Sequence, residues 1–314
     1  MKSRAFCFTL LSTIAISIAA SLPVQAQRAR VFVSVNGNDS NPCTALSPCR
    51  TFQAAHDAVQ AGDEVDVLDT GGYGTLTISK SISIVNPGGV VASIATASGD
   101  AAIVISIHSS DKVSLRGLTL DGNGIGGVGI LFTNGGGALE IADCVARNYT
   151  GNGLYFNPSS ASTLKVTNSE FNDNGFGGIS VEANASVVGS LDRVGFYNNQ
   201  TNGAIVVAAS ATAITFTVKD SVAINNGSGF ASAAYVSGAT SRMIVVRSVV
   251  SNASGYGIFS GGLGSQVIVD ESTIFNNAHA WATQNGGFIF SHGNNSVEFN
   301  AADFGPVTAA AALE

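Results

Sequence analysis

The chain has 314 residues, of which 45% are hydrophobic and only 11% charged, with 37 glycines and a net charge of −7. An acidic chain without a basic run is a poor partner for nucleic acid or an anionic membrane, and its apolar content is too high for disorder. Few charges combined with many β-branched residues and glycines favour an all-β protein with many tight turns.

Residues 1–26 read as an export signal. Lys2 and Arg4 form a positive start, an apolar stretch follows from Phe6 to Ala20, and Val24-Gln25-Ala26 fits a small-residue cleavage site. The apolar run is short for a spanning helix and nothing similar follows, so no membrane insertion is expected after cleavage. The expected destination is the periplasm, the cell surface or the medium.

Residues 27–64 read as an N-terminal cap of strand, loop and helix. Cys43 and Cys49 in "NPCTALSPC" are expected to form a disulfide in an oxidising compartment. No second Cys or His pair stands at zinc spacing. Cys144 lies in an apolar strand pattern and reads as a small core residue. In "TFQAAHDAV", Thr51 is a predicted N-cap, Phe52, Ala55 and Val59 share one face, and Gly62 ends the helix. The acidic group Asp63, Glu64, Asp66 and Asp69 offers itself to a cation such as Ca2+, although Asp66 and Asp69 equally mark the edges of a strand.

From residue 65 to 285 one unit recurs. Asn123, Asn148, Asn174, Asn199, Asn225, Asn252 and Asn277 each precede a glycine-led strand, at intervals of 25 to 27 residues. Asn226 is an alternative to Asn225. Three residues before each anchor stands an apolar residue: Leu120, Val145, Phe171, Phe196, Val222, Val249 and Ile274. Alternating strands such as "LEIAD", "LKVTN", "FTVKD" and "VIVDE" come before these, and "GLYF", "GISV" and "GAIVV" follow. Three short strands per repeat of this length predict a β-solenoid, in which stacked coils bury one continuous core. The Asn column then predicts a ladder of side-chain amides bonded from coil to coil, since Asn also tolerates left-handed turns. Residues 286–314 would close the far end.

The stretch "VSVNGNDSNPCTALSPCRTFQAAHDAVQAGDEVDVLDTGGYG" resembles the N-terminal cap of secreted β-helix proteins of the pectate-lyase-like superfamily. Asn36, Gly37, Asp39, Asn41, Pro42, Thr51, Phe52, Gln53, Ala55, Gly62, Asp63, Val65, Val67 and Tyr73 carry the likeness. The resemblance implies a single-stranded right-handed parallel β-helix with an N-terminal capping α-helix. It implies less about activity, because that superfamily holds lyases, hydrolases, epimerases, tailspikes and proteins without a known reaction.

A calcium-assisted lyase needs clustered carboxylates and a Lys or Arg base. Where such proteins often carry an Asp, this chain has Asn152, Gly177, Asn202 and Tyr256. None of His56, His108, His279 and His292 stands in a glycosidase-like turn. The remaining candidates for chemistry are Asp192, Arg193, Lys219, Asp220 and Arg247, which stacked coils bring together; the plainer expectation is a solvated face of alternating charges. Three functions fit. The first is an exported scaffold that binds a carbohydrate polymer, with Tyr149, Tyr155, Phe176, Tyr197 and Tyr256 as stacking rings. The second is a lyase or hydrolase acting on acidic polysaccharide. The third is an oligomeric appendage, for which no coiled-coil segment is visible. The missing catalytic motifs favour the first.

Overall fold

The computed structural model describes residues 30–304; the predicted signal (1–26) and residues 305–314 of the predicted closing segment lie outside them. The described residues form a parallel β-solenoid of three sheets with eleven, ten and ten strands. Each coil visits the first, second and third sheet in turn. The first sheet runs from Arg30–Val33 and Glu64–Val67 to Phe288–Ser291, the second from Gly71–Gly72 to Ser296–Glu298, and the third from Leu76–Ile78 to Ala302–Phe304. All pairings between neighbouring coils are parallel, as at Leu164↔Gly189 and Gly189↔Phe216.

Alternation along each strand decides what the coils bury. On the first sheet Leu115, Ile141, Val166, Leu191, Val218, Val245 and Val269 stack in register and are all at most 1% exposed. The second sheet contributes Phe171 and Phe196, whose rings stack with centroids 5.9 Å apart. The third contributes Phe132 and Phe156 at 4.5 Å. One coil leaves such residues half-exposed; stacking removes both faces from water, which is the main stabilising term of the fold.

Two corners carry buried polar ladders. Between the second and third sheets, Asn174, Asn199, Asn226 and Asn277 are at most 2% exposed. Asn174 Nδ2 donates to Asn199 Oδ1, and Asn199 Nδ2 to Asn226 Oδ1, both at 2.9 Å; Asn277 Nδ2 does the same to Asn300. The sequence anchors therefore mix two adjacent columns. Asn148, Asn225 and Asn252 belong to the outer one, with φ of 59°, 59° and 56°, together with Asp173, Asn198 and Asn276. Asn123 (φ 50°) also sits in a left-handed turn outside the buried ladder. Tyr149 and Ala253, each at most 3% exposed, occupy the ladder positions of two coils. The same slip affects the apolar column: Ala146, Ala223 and Val250 point inward with Phe171, Phe196 and Ile274, whereas Val145, Val222 and Val249 are half-buried on the outer side. Both neighbours are apolar there, so hydrophobicity alone does not fix the phase.

The second ladder, between the first and second sheets, went unread in the sequence. The Ser169 hydroxyl accepts the Cys144 amide, Ser221 that of Val194, Ser248 that of Ser221, and Ser272 that of Ser248, each at 3.1 Å. Each of these serines donates in turn to the carbonyl two residues before it, as Ser221 Oγ does to Lys219 at 2.7 Å. Cys144 occupies this column as a free buried thiol, and burial pushes its pKa up to about 12.

At the N-terminal end, the helix Phe52–Ala58 is capped by Thr51, whose hydroxyl accepts the Ala54 amide at 3.2 Å. It stops at Val59, short of Gly62, because Val59 is already extended. Phe52, Ala55 and His56 are buried, and Phe52 packs on Tyr73 with ring centroids 5.0 Å apart. Cys43 and Cys49 form a disulfide across the preceding loop. Their sequence separation of 6 closes a short ring, so reduction should lower stability by about 2 kcal/mol. Denaturant melts with and without a thiol reductant test this; equal midpoints would show that the loop's packing alone holds it. Among the described residues no helix is long and apolar enough to cross a membrane.

Candidate functional site

The sequence-predicted charges gather at the corner between the first and second sheets. Asp143, Asn168, Arg193, Asp220, Arg247 and Glu271 all have φ between 43° and 56°, and Gly117 takes the same place one coil earlier. This left-handed bend turns each side chain radially outward, where it meets its equivalent one coil away. The result is an alternating ladder. Arg116 Nε lies 3.1 Å from Asp143, Arg193 Nε donates to Asn168 at 2.6 Å, and Arg193 Nη1 lies 3.0 Å from Asp192. Arg247 holds Asp220 through two nitrogens, at 2.9 and 3.2 Å, while Lys219 approaches the same carboxylate at 3.5 Å and Glu271 stands 3.9 Å from Arg247.

So the structure does bring Asp192, Arg193, Lys219, Asp220 and Arg247 together, but as mutual partners. The hydrogen bond from Arg247 lowers the Asp220 pKa, and that from Asp220 raises the Arg247 pKa. A general base must shed its proton near the working pH; Arg247 is held the other way. Each of these charges is met by an opposite one within the corner.

The acidic group near the cap is also engaged. Arg30 lies between two carboxylates, 3.1 Å from Glu64 and 3.4 Å from Asp66. Burial, and then the neighbouring Glu64 charge, raise the Asp66 pKa. Asp69 turns inward to accept the Ser34 hydroxyl at 2.6 Å, the Val35 amide at 2.9 Å and the Tyr73 hydroxyl at 2.6 Å. Burial alone would raise its pKa, yet these three bonds together lower it. Asp63, directly before Glu64, accepts the amide of Ser83 on the next coil through its backbone carbonyl at 3.0 Å. Among the described residues, no three His, Cys, Asp or Glu side chains are placed to share a metal ion.

A different place on the molecule has the shape of a site. On the outer face of the first sheet, near its N-terminal end, a cleft is lined by Gly62, Ser81, Ser83, Ser110, Lys112, Ser114, Glu140, Thr163 and Lys165. The register explains it. Ser83, Ser114, Glu140 and Lys165 form one outward column, and Lys112, Ala138 and Thr163 the next. Small hydroxyl residues make the floor, and longer charged ones stand at its sides. Lys165 Nζ pairs with Glu140 at 2.7 Å. The exposed Lys112 has no carboxylate partner among the described residues, in contrast to the arginines of the corner. The sequence held these residues in plain strand contexts, "DKVSL", "ALEIA" and "TLKVT", where only the outward alternation marked them.

Of the aromatic residues expected near turns, Tyr149 is 2% exposed and belongs to the core, where burial pushes its pKa up to about 12. Tyr155 donates to Glu182 at 2.8 Å. Tyr197 is half-buried, and Phe176 is 58% exposed at the Asn-rich corner. Tyr256 lies on the outer face of the third sheet, in the strand Tyr256–Gly261.

The family described as "Right handed beta helix region" matches residues 77–201. No curated protein sequence matches. Among solved structures, the chain is similar to pectate lyase Pel9A, at 19% identity and a TM-score of 0.66 over 91% of this chain and 79% of that one. It is similar to a rhamnogalacturonan lyase at 14% identity and a TM-score of 0.51, over 83% and 75% of the two chains. An alginate lyase from Paenibacillus sp. str. FPU-7 superposes at 13% identity and a TM-score of 0.50, over 87% and 99%. At such identities the likeness is one of fold. The three-sheet parallel coil, the family match over residues 77–201 and these superpositions together give the chain a right-handed parallel β-helix fold, similar to that of pectate lyase Pel9A.

Proposed function

We propose that this protein is an exported β-helix scaffold that binds an acidic polysaccharide along the outer face of its first sheet, in the cleft around Lys112. The observation that carries this is the contrast between the cleft and the charged corner. At the corner each cation already has a carboxylate; in the cleft Lys112 offers an unmatched ammonium above a floor of serine and threonine hydroxyls. A sugar carboxylate supplies the missing partner and sugar hydroxyls exchange hydrogen bonds with the floor. The sheet fixes the backbone positions of these groups before binding, so that only side chains such as Lys112 lose freedom, which favours affinity. The names of the similar structures supply the polymers to try first: pectate, rhamnogalacturonan and alginate. The Cys43–Cys49 disulfide fits a protein that works outside the cytoplasm.

The test is calorimetric titration of the mature protein with oligosaccharides of these three polymers, beside a turnover screen with and without Ca2+. Binding should weaken as salt rises, and Lys112→Glu should reduce it by about tenfold or more. Lys219→Ala and Arg247→Ala should leave it unchanged. Failure to bind any acidic oligosaccharide would remove the proposal. Accumulation of unsaturated ends that stops in Arg247→Ala would instead place a lyase at the corner.

A further inference from the structure

The outer face of the third sheet carries a run of rings that the acidic cleft does not use. Tyr256 stacks on Phe259 with ring centroids 5.5 Å apart and an interplanar angle of 25°. On the neighbouring coil, His279 lies 5.4 Å from Tyr256 at 32°. Tyr235 extends the run from the loop before: a Cβ at Gly261 would lie 2.2 Å from the Tyr235 hydroxyl oxygen and 2.9 Å from a Phe259 ring carbon. Both rings therefore close over bare backbone, and only glycine fits beneath them. Ala231, in register with Phe259, faces the same side and is sunk to 1% exposure. Tyr235 is nevertheless 54% exposed.

Its hydroxyl end seated against Gly261, Tyr235 keeps over half of its surface open to solvent. The depression beside Tyr235 is lined by Leu263, Ser237 and Asn285 and contains no Asp, Glu, Lys or Arg. An aromatic face with apolar and amide neighbours, and without charge, is complementary to a neutral sugar. The C–H face of the sugar packs on the ring, and its peripheral hydroxyls bond to groups such as Ser237 and Asn285. Gly261 brings Tyr235 beside Phe259 and the 5.5 Å ring contact joins Phe259 to Tyr256, so the aromatic surface runs on from the depression along the sheet, as an extended chain of such sugars requires.

We propose that Tyr235, Tyr256 and Phe259 form a second glycan-binding strip, specific for a neutral, extended polysaccharide and separate from the Lys112 cleft. The inference rests on the reading of the protein as a glycan-binding scaffold, and adds a second ligand class on another face. A protein with both sites would bridge a charged and an uncharged polymer.

The experiment titrates the mature protein with cellohexaose, chitohexaose and, separately, an acidic hexasaccharide. The variants are Tyr235→Ala, Tyr235→Ala/Tyr256→Ala and Lys112→Ala, each checked for an unchanged melting midpoint. Tyr235 is exposed, so its truncation leaves the core intact. At least one neutral hexasaccharide should bind, about tenfold more weakly in Tyr235→Ala and not measurably in the double variant. Lys112→Ala should leave that binding untouched while losing the acidic ligand. The inference falls if neither neutral hexasaccharide binds the wild type, or if Tyr235→Ala binds as well as wild type. It also falls if Tyr235→Ala abolishes only self-association, which would make the strip a contact between copies. Acidic binding that survives any of these outcomes keeps the cleft reading, and its loss with neutral binding intact removes the cleft alone.

Discussion

Asn199→Ala should destabilise the protein by about 3 kcal/mol or more, whereas Asn225→Ala should cost only about 1 kcal/mol, despite the two residues' similar place in the repeat. Asn199 is 1% exposed and spans three coils. Its Oδ1 accepts both the backbone amide of Asn174, at 3.3 Å, and the side-chain amide of Asn174, at 2.9 Å; its Nδ2 donates to Asn226 Oδ1 and to the Phe171 carbonyl, each at 2.9 Å. Truncation strands several of these groups where water cannot reach them, and each orphaned buried group costs about 1–3 kcal/mol. Asn225 instead donates one long bond of 3.3 Å to Asn198 on the outside and supplies a φ of 59°. Its replacement by alanine forfeits mainly the tolerance of the left-handed turn, about 1 kcal/mol. Asn225→Gly should therefore be close to neutral. Denaturant midpoints give the comparison, and hydrogen exchange gives its location. Because a solenoid transmits instability mainly to neighbouring coils, lost protection in Asn199→Ala should centre on the coils carrying Asn174 and Asn226. Equal costs for Asn199 and Asn225 would show that the inner ladder contributes no more than the outer one.

The same pair shows how far the sequence could be read. The period, the parallel coils, the helix after Thr51 and the pairing of Cys43 with Cys49 all follow from local chemistry that has one physical solution. The phase within the corner does not. In Asn198-Asn199, Asn225-Asn226 and Asn276-Asn277, two adjacent asparagines serve different needs, one the left-handed bend and the next the buried amide ladder. Both are compatible with Asn, and coil lengths vary, so the anchor drifts between columns. Where a coil breaks the rule, as with Asp173 before Asn174 or Ala253 after Asn252, only the three-dimensional register tells the columns apart. The functional faces were harder still. Lys112, Glu140 and Lys165 occupy ordinary outward strand positions, and Tyr235 comes from a loop. Their grouping depends on which residue of one coil stands beside which of the next. The charged corner was legible as a cluster because its members adjoin in sequence, yet the structure pairs them with each other.

Gly189→Leu should destabilise by about 3 kcal/mol, and Phe216→Leu introduced beside it should recover most of that loss. On the first sheet Leu139, Leu164, Gly189, Phe216, Met243 and Val267 stack in one inward column. The glycine is the exception, and its neighbour explains it: a Cβ at Gly189 would lie 2.1 Å from the tip of the Phe216 ring. The ring, itself 0% exposed, occupies the space that a leucine would fill one coil earlier. Gly189 sits in ordinary strand geometry, since it is not among the positive-φ glycines, so the cost of substitution is steric rather than conformational. Overpacking of a dense core typically costs about 1–3 kcal/mol, and the clash here is with the end of a rigid ring held by its neighbours. Phe216→Leu alone should also destabilise, by leaving a cavity against the bare glycine. Together the two substitutions exchange one large and one absent side chain for two leucines, restoring the column's usual content. The double-mutant cycle should therefore return a favourable coupling of about 1–3 kcal/mol. Additive losses would mean that the core relaxes around Gly189 independently of Phe216, and that the volume match across these two coils is not what keeps a glycine in the column.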